Sequence, residues 1–174
     1  MSGADIAATA ATLAARTAAL RLCFERIGAT RMAGLPVMHP DLRVEAVGFE
    51  PCEDADGAPA ALGVLLTPWF MNLILLPAPG GACAPPGQSR PHRVGGARFD
   101  FIGAREAGFG AYEMCSLFSP MFAFAGQAAA HATAVEVLRA LRGAEREIQA
   151  RLAAQPRPGR RGFLTGRVAA GQRP

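Results

Sequence analysis

LGVLLTPWFMNLILL, residues 62–76, is the stretch from which the fold follows. Two short apolar runs, Leu62–Thr67 and Phe70–Leu76, flank Pro68 and Trp69, the pattern of a hairpin of buried strands turning at Pro68-Trp69. The surrounding segment is uncharged from Gly57 to Ser89, long enough to raise a membrane span, but Pro68, Asn72, Pro77 and Pro79 interrupt it. No 18 apolar residues run free of breakers, so no membrane insertion is expected.

Working outward, Arg43 to Phe49 alternates polar and apolar residues and reads as a strand, followed by an acidic turn from Glu50 to Gly57. Pro77 to Gly96 holds five Pro and five Gly in twenty residues and reads as a loop. Strands are expected again at Arg98–Ile102, with Phe99 and Phe101 on one face, and at Ala111–Phe118. The strands connect without helices, which makes the sheet antiparallel. Before it, Ile6, Leu13, Leu20, Phe24 and Ile27 draw one stripe on a helix from Asp5 to about residue 30, with Asp5 as N-cap and Gly28 near the end. RMAGLPVMHPD, residues 31–41, is a connector. After the sheet, Gly126 to about Ala154 forms a helix through Val135, Leu138, Leu141, Ile148 and Leu152, with Gly143 as a point of division. The fold class is α+β: an N-terminal helix, an antiparallel sheet of about five strands and a C-terminal helix, both helices on one sheet face. Residues 1–154 form one domain and 155–174 a basic Pro/Arg-rich tail.

Composition narrows the function. The 174 residues are 51% hydrophobic, but 37 of them are Ala; the larger apolar residues still suffice for a core at this length. All 18 cations are Arg, and the tail carries Arg157, Arg160, Arg161, Arg167 and Arg173 without an acid. The remaining 13 Arg face 14 acids, so the body has no basic face of the kind nucleic acid requires. MSGADIAATAATLAAR, residues 1–16, lacks the charged and apolar regions of a signal peptide, which points to the cytoplasm. Cys23, Cys52, Cys83 and Cys115 stand 29 or more residues apart without a CxxC pair, as free thiols. His39, His92 and His131 lie in a connector, a loop and a helix. Neither a metal site nor a cofactor is expected from such spacing. The phosphate-binding and hydrolase motifs are missing, and no His or acid is spaced to activate Ser116 or Ser119, so no catalytic residues are assigned.

Two turns stand out. Trp69, the single Trp, sits where solvent is the expected neighbour; it either folds back over the sheet edge or projects as an aromatic anchor for a partner. Phe118, Phe122 and Phe124 surround Ser119-Pro120-Met121, either as core or as an apolar patch beside Trp69. We take the Trp69 turn as the partner-contact surface.

LPVMHPDLRVEAVGFEP at 35–51, TPWFMNLILLP at 67–77, MCSLFSPMF at 114–122 and RRGFLTGR at 160–167, in that order, resemble the HybE/HupJ family of [NiFe]-hydrogenase assembly chaperones. The resemblance departs in the Ala-rich first twenty residues, in the loop at 77–96 and around 123–132. It implies an accessory protein that is not an enzyme. Such a protein holds hydrogenase large or small subunit precursors in the cytoplasm during cofactor insertion and assembly, before export of the loaded complex. By motif the partner-binding residues are Thr67, Pro68, Trp69 and Phe70, then Cys115, Ser116, Ser119 and Pro120, and in the tail Arg160 and Arg161. Two other classes stay open on the residues alone: a thiol-dependent redox or metal-delivery accessory protein built on Cys115 with another cysteine, and a ligand or nucleic-acid binder using the Arg tail.

Overall fold

The computed structural model describes residues 3–154, with side chains from Ala10 onward. The elements are α1 (Gly3–Ala29), β1 (Glu45–Glu53), β2 (Pro59–Leu66), β3 (Met71–Pro77), β4 (Ser89–Val94), β5 (Ala97–Glu106), β6 (Gly110–Phe118) and α2 (Gln127–Ala154). The six strands form one antiparallel sheet in the order β1-β2-β3-β6-β5-β4. The α+β class stands. The hairpin is where the sequence puts it: β2 and β3 pair from Ala60↔Pro77 to Leu66↔Met71, which leaves Thr67–Phe70 as the turn.

Three features differ from the sequence reading. The sheet has six strands, because SRPHRV inside the Pro/Gly-rich segment is β4, paired from Ser89↔Ile102 to Val94↔Ala97. It lies at the sheet edge, where Pro91 has no ladder bond to lose on its outer side. Gly95 and Gly96, with φ of 59° and 79°, form the two-residue connection to β5, a turn that requires positive φ at both positions. Second, the helices cover opposite faces. Leu20, Phe24 and Ile27 of α1 pack with Ala61, Leu65, Ile74, Leu76 and Tyr112, whereas Ala130, Ala134 and Leu138 of α2 pack with Val47, Val64, Leu66, Leu73, Leu75 and Phe101. Neighbouring residues of β2 and β3 therefore enter different cores, and a strand buried on both sides reads as an unbroken apolar run. Third, β1 continues to Glu53 through a bulge at Gly48, where φ is 58°, so the acidic turn shrinks to Asp54–Ala58.

The helices also depart in detail. α1 begins at Gly3, which places Asp5 inside its first turn; Gly28 lies within the helix. α2 passes through Gly143 unbroken and packs mainly through Ala130, Ala134 and Leu138, while Val135, Ile148 and Leu152 keep 43%, 37% and 57% of their surface exposed. It follows β1 closely: Gln127 and His131 meet Glu45 at 2.7 and 2.8 Å, and Arg142 pairs with Glu50 at 2.9 Å. The sheet curls around it. Arg90 on edge strand β4 reaches Asp54 at 3.3 Å and Asp56 at 2.6 Å in the turn after edge strand β1.

Candidate protein-contact surface

At one end of the sheet three chain segments meet: the connector around His39, the β2–β3 turn, and the segment after β6. The turn is set by Thr67. Its hydroxyl accepts the N–H of Phe70 at 2.9 Å and that of Trp69 at 3.2 Å, and its own N–H donates to the Phe70 carbonyl at 2.8 Å. Side-chain capping of this kind is why a Ser or Thr suits the first position of such a turn. Met71 pairs with Phe118, so residues 119–124 leave the sheet beside the turn, and the Ser119 hydroxyl reaches the Trp69 carbonyl at 3.4 Å. The Ser119-Pro120 peptide is cis. From the other side the His39 N–H donates to the Pro68 carbonyl at 2.9 Å.

The expectation that Trp69 stands in solvent is overturned. Thr67 and Pro68 are buried and Trp69 is only 8% exposed. Its indole lies on the α1 side, 6.4 Å from the Phe24 ring and 5.6 Å from Phe70. The reason sits in α1: a Cβ on Gly28 would lie 3.3 Å from the indole edge, so glycine there makes the close approach possible. Phe70 and Cys115 are half-buried, and Ser116, Ser119 and Pro120 are exposed. The apolar surface comes instead from Phe122, 53% exposed, and Phe118, 38% exposed. Phe118 packs edge-to-face on Phe124 at 5.1 Å, and Phe122 stacks on His39 at 5.8 Å. Between Met114 and Val135 the sequence has no Asp, Glu or Arg, and Thr67–Met71 has none either, so two of the three segments bring no charge, while the connector brings Asp41 and Arg43, both exposed. Arg160 and Arg161, with the whole tail 155–174, lie outside the described residues.

A second polar group, unsuspected from the sequence, lies about 17 Å away along β6, five residues from Phe118. Glu113, 1% exposed, pairs with His92 Nε2, accepts the Ala84 N–H at 2.7 Å and faces Arg90 at 3.4 Å. Its signal was faint: two polar residues at inward positions of strands. Nearby, burial together with Glu113 pushes the Cys83 thiol up to about 11, and burial chiefly pushes Cys52 up to about 11. Cys23 and Cys115 are raised as well, again chiefly by burial. At neutral pH all four therefore hold their protons, which weakens them as nucleophiles and as metal ligands. Among the described residues no cluster of three His, Cys, Asp or Glu is disposed to hold a metal ion. An apolar cleft of about 400 Å³ lies between Leu13 and Arg16 of α1 and Cys52, Ala61, Leu76 and Pro79, and none of the residues assigned to partner binding lines it. No helix among the described residues is long and apolar enough to cross a membrane.

A family model described as "[NiFe]-hydrogenase assembly, chaperone, HybE" matches residues 15–166. The chain is similar to "Protein HoxT" of Cupriavidus necator, 52% identical over 150 residues that cover 81% of this chain and 83% of that protein. It is 36% identical over 146 residues to the "Hydrogenase expression/formation protein HupJ" of Bradyrhizobium diazoefficiens, covering 82% and 83% of the two chains. Among solved structures, the solution structure of HybE from Escherichia coli superimposes with a TM-score of 0.53 at 20% identity, over 89% of this chain and 91% of that one. At that identity the likeness is one of fold. Parts of the segments that carry the sequence resemblance, the connector around His39, the Thr67–Phe70 turn and residues 118–122, meet at the end face.

Proposed function

Because the chain belongs to the HybE family of [NiFe]-hydrogenase assembly chaperones, we propose that it binds the precursor of a hydrogenase subunit through the end face that exposes Phe118 and Phe122. Binding takes place in the cytoplasm, before the cofactor-loaded complex is exported. The observation that supports this most is the convergence of three separate segments, two of them free of charge, on a surface that exposes Phe118 and Phe122. A subunit that has not yet closed around its cofactor exposes apolar surface of its own, and covering the two together removes both from water.

The magnitude suits a temporary hold. Fully burying a Phe is worth about 1.5–3 kcal/mol, and these two rings are already about half covered, so together they supply roughly 1.4–2.7 kcal/mol, or about 10- to 100-fold in affinity. Such a contact selects a partner and still releases it. The protein acts by binding and not by catalysis, as the four protonated thiols and the absence of an activated nucleophile among the described residues suggest. Phe70, Ser116, Ser119 and Pro120 contribute contact area, while Thr67, Pro68 and Trp69 shape the turn from beneath.

The test is affinity capture with the full chain from cells that make the hydrogenase, with partners identified by mass. Subunit precursors are expected, and Phe118→Ser with Phe122→Ser should reduce their recovery tenfold or more without moving the melting temperature by more than a few degrees. Recovery that is unchanged by both substitutions, or capture free of any hydrogenase subunit, refutes the proposal.

A further inference from the structure

His39 is 9% exposed and makes four contacts that no other residue type can reproduce together. Its backbone N–H holds the Pro68 carbonyl of the β2–β3 turn at 2.9 Å. Its Nδ1 lies 3.2 Å from the Asp41 N–H, and its Nε2 lies 3.1 Å from the Phe124 carbonyl, 85 residues away in sequence. Its ring lies under Phe122, with centroids 5.8 Å apart and planes 28° from parallel. A backbone N–H only donates and a carbonyl only accepts. Both side-chain bonds are therefore made by one species alone, the neutral imidazole with its proton on Nε2. The other anchors of segment 119–124 are Met121, buried in the α2-side core, Phe124, packed against that core and on Phe118, and Ser119, which reaches the Trp69 carbonyl at a long 3.4 Å; none of them ties the segment to the connector.

We propose that His39 is the positioning residue of the end face, a neutral imidazole that ties the segment after β6 to the β2–β3 turn and supports the ring of Phe122 for its partner. This deepens the reading of the end face as the precursor-binding surface and rests on it. Gln places an N–H near Nε2 but offers no acceptor at Nδ1, whereas Phe keeps the ring surface and loses both bonds.

The experiment has two arms on the full chain. In the free protein, the long-range proton–nitrogen spectrum of the imidazole should show the Nε2–H tautomer at neutral pH, and His39→Phe should speed exchange of the Asp41 amide. With the large- and small-subunit precursors assayed separately, His39→Phe should weaken capture about 30-fold, the worth of two net hydrogen bonds, with His39→Gln recovering part of that loss. A plain structural requirement would not separate these two variants by their hydrogen-bonding atoms. An Nδ1–H or doubly protonated ring, or an unchanged Asp41 amide, overturns the proposal. So does capture that His39→Phe leaves intact while Phe122→Ser abolishes it. Capture that both leave intact overturns the reading of the face, and the proposal with it. Should His39→Phe fail to fold, the wild-type spectrum and His39→Gln decide by the same criteria.

Discussion

Replacing Trp69 by Ala separates a brace from an anchor. The indole is 8% exposed, stacks at 24° on Phe24 and meets Phe70 edge-on, so its removal leaves a cavity between α1 and the β2–β3 turn. Core aromatic deletions cost about 3–5 kcal/mol, the lost transfer energy plus the void left behind. For a domain of this size each kcal/mol moves the melting temperature by about 2–4 °C, so a drop of roughly 6–20 °C is expected. Trp69 is the single Trp, which makes emission a direct check: the native spectrum should be blue-shifted and should move to the red on unfolding. A native spectrum already at the position of a solvated indole, together with a melting temperature within about 2 °C of the parent, would place Trp69 in solvent and refute the packing argument.

Two further outcomes follow from other parts of the molecule. A Cβ at Gly103 would collide with the Ala84 carbonyl and lie 2.5 Å from that of Pro85, so Gly103→Ala must displace the loop before β4 and with it the Ala84 N–H bound to Glu113. Chemical denaturation should show a loss of about 1–3 kcal/mol or more, and a neutral change would mean that the loop does not lie on β5 as described. Cys83, pushed from 9.0 to about 11 by burial and by Glu113, should be alkylated slowly at pH 7.5, at a rate that rises about tenfold per pH unit until near 11. A rate that levels off near pH 9 would show an ordinary exposed thiol.

The central hairpin was legible because its signals are local: two apolar runs, a Thr-Pro turn, and strand lengths that proline bounds. The same unbroken run also carried the information that the sheet is covered on both faces, since a strand with one wet face alternates. β4 was hidden because proline and glycine counts describe a loop and an edge strand with a Gly-Gly turn equally well. Trp69 was misplaced for another reason. It is buried by packing against Phe24 and beside Gly28 in α1, and nothing near Trp69 in sequence announces that helix as its neighbour. His39 and Glu113 owe their roles to partners brought close only by folding, so composition and spacing gave His39 no mark and Glu113 a faint one, whereas the phenylalanines of the end face could be seen but not assigned to core or surface.

The central claim is that residues 67–71 and 114–124 form the surface that engages a hydrogenase subunit precursor. Hydrogen–deuterium exchange of the full chain, measured alone and with purified precursor, addresses it directly. Protection is expected to concentrate in peptides covering 67–71 and 114–124 and in the connector around His39, with little change at β4 or along the cleft beside Arg16. Protection that falls on β4 or on that cleft, with the end face exchanging as in the free protein, would contradict it.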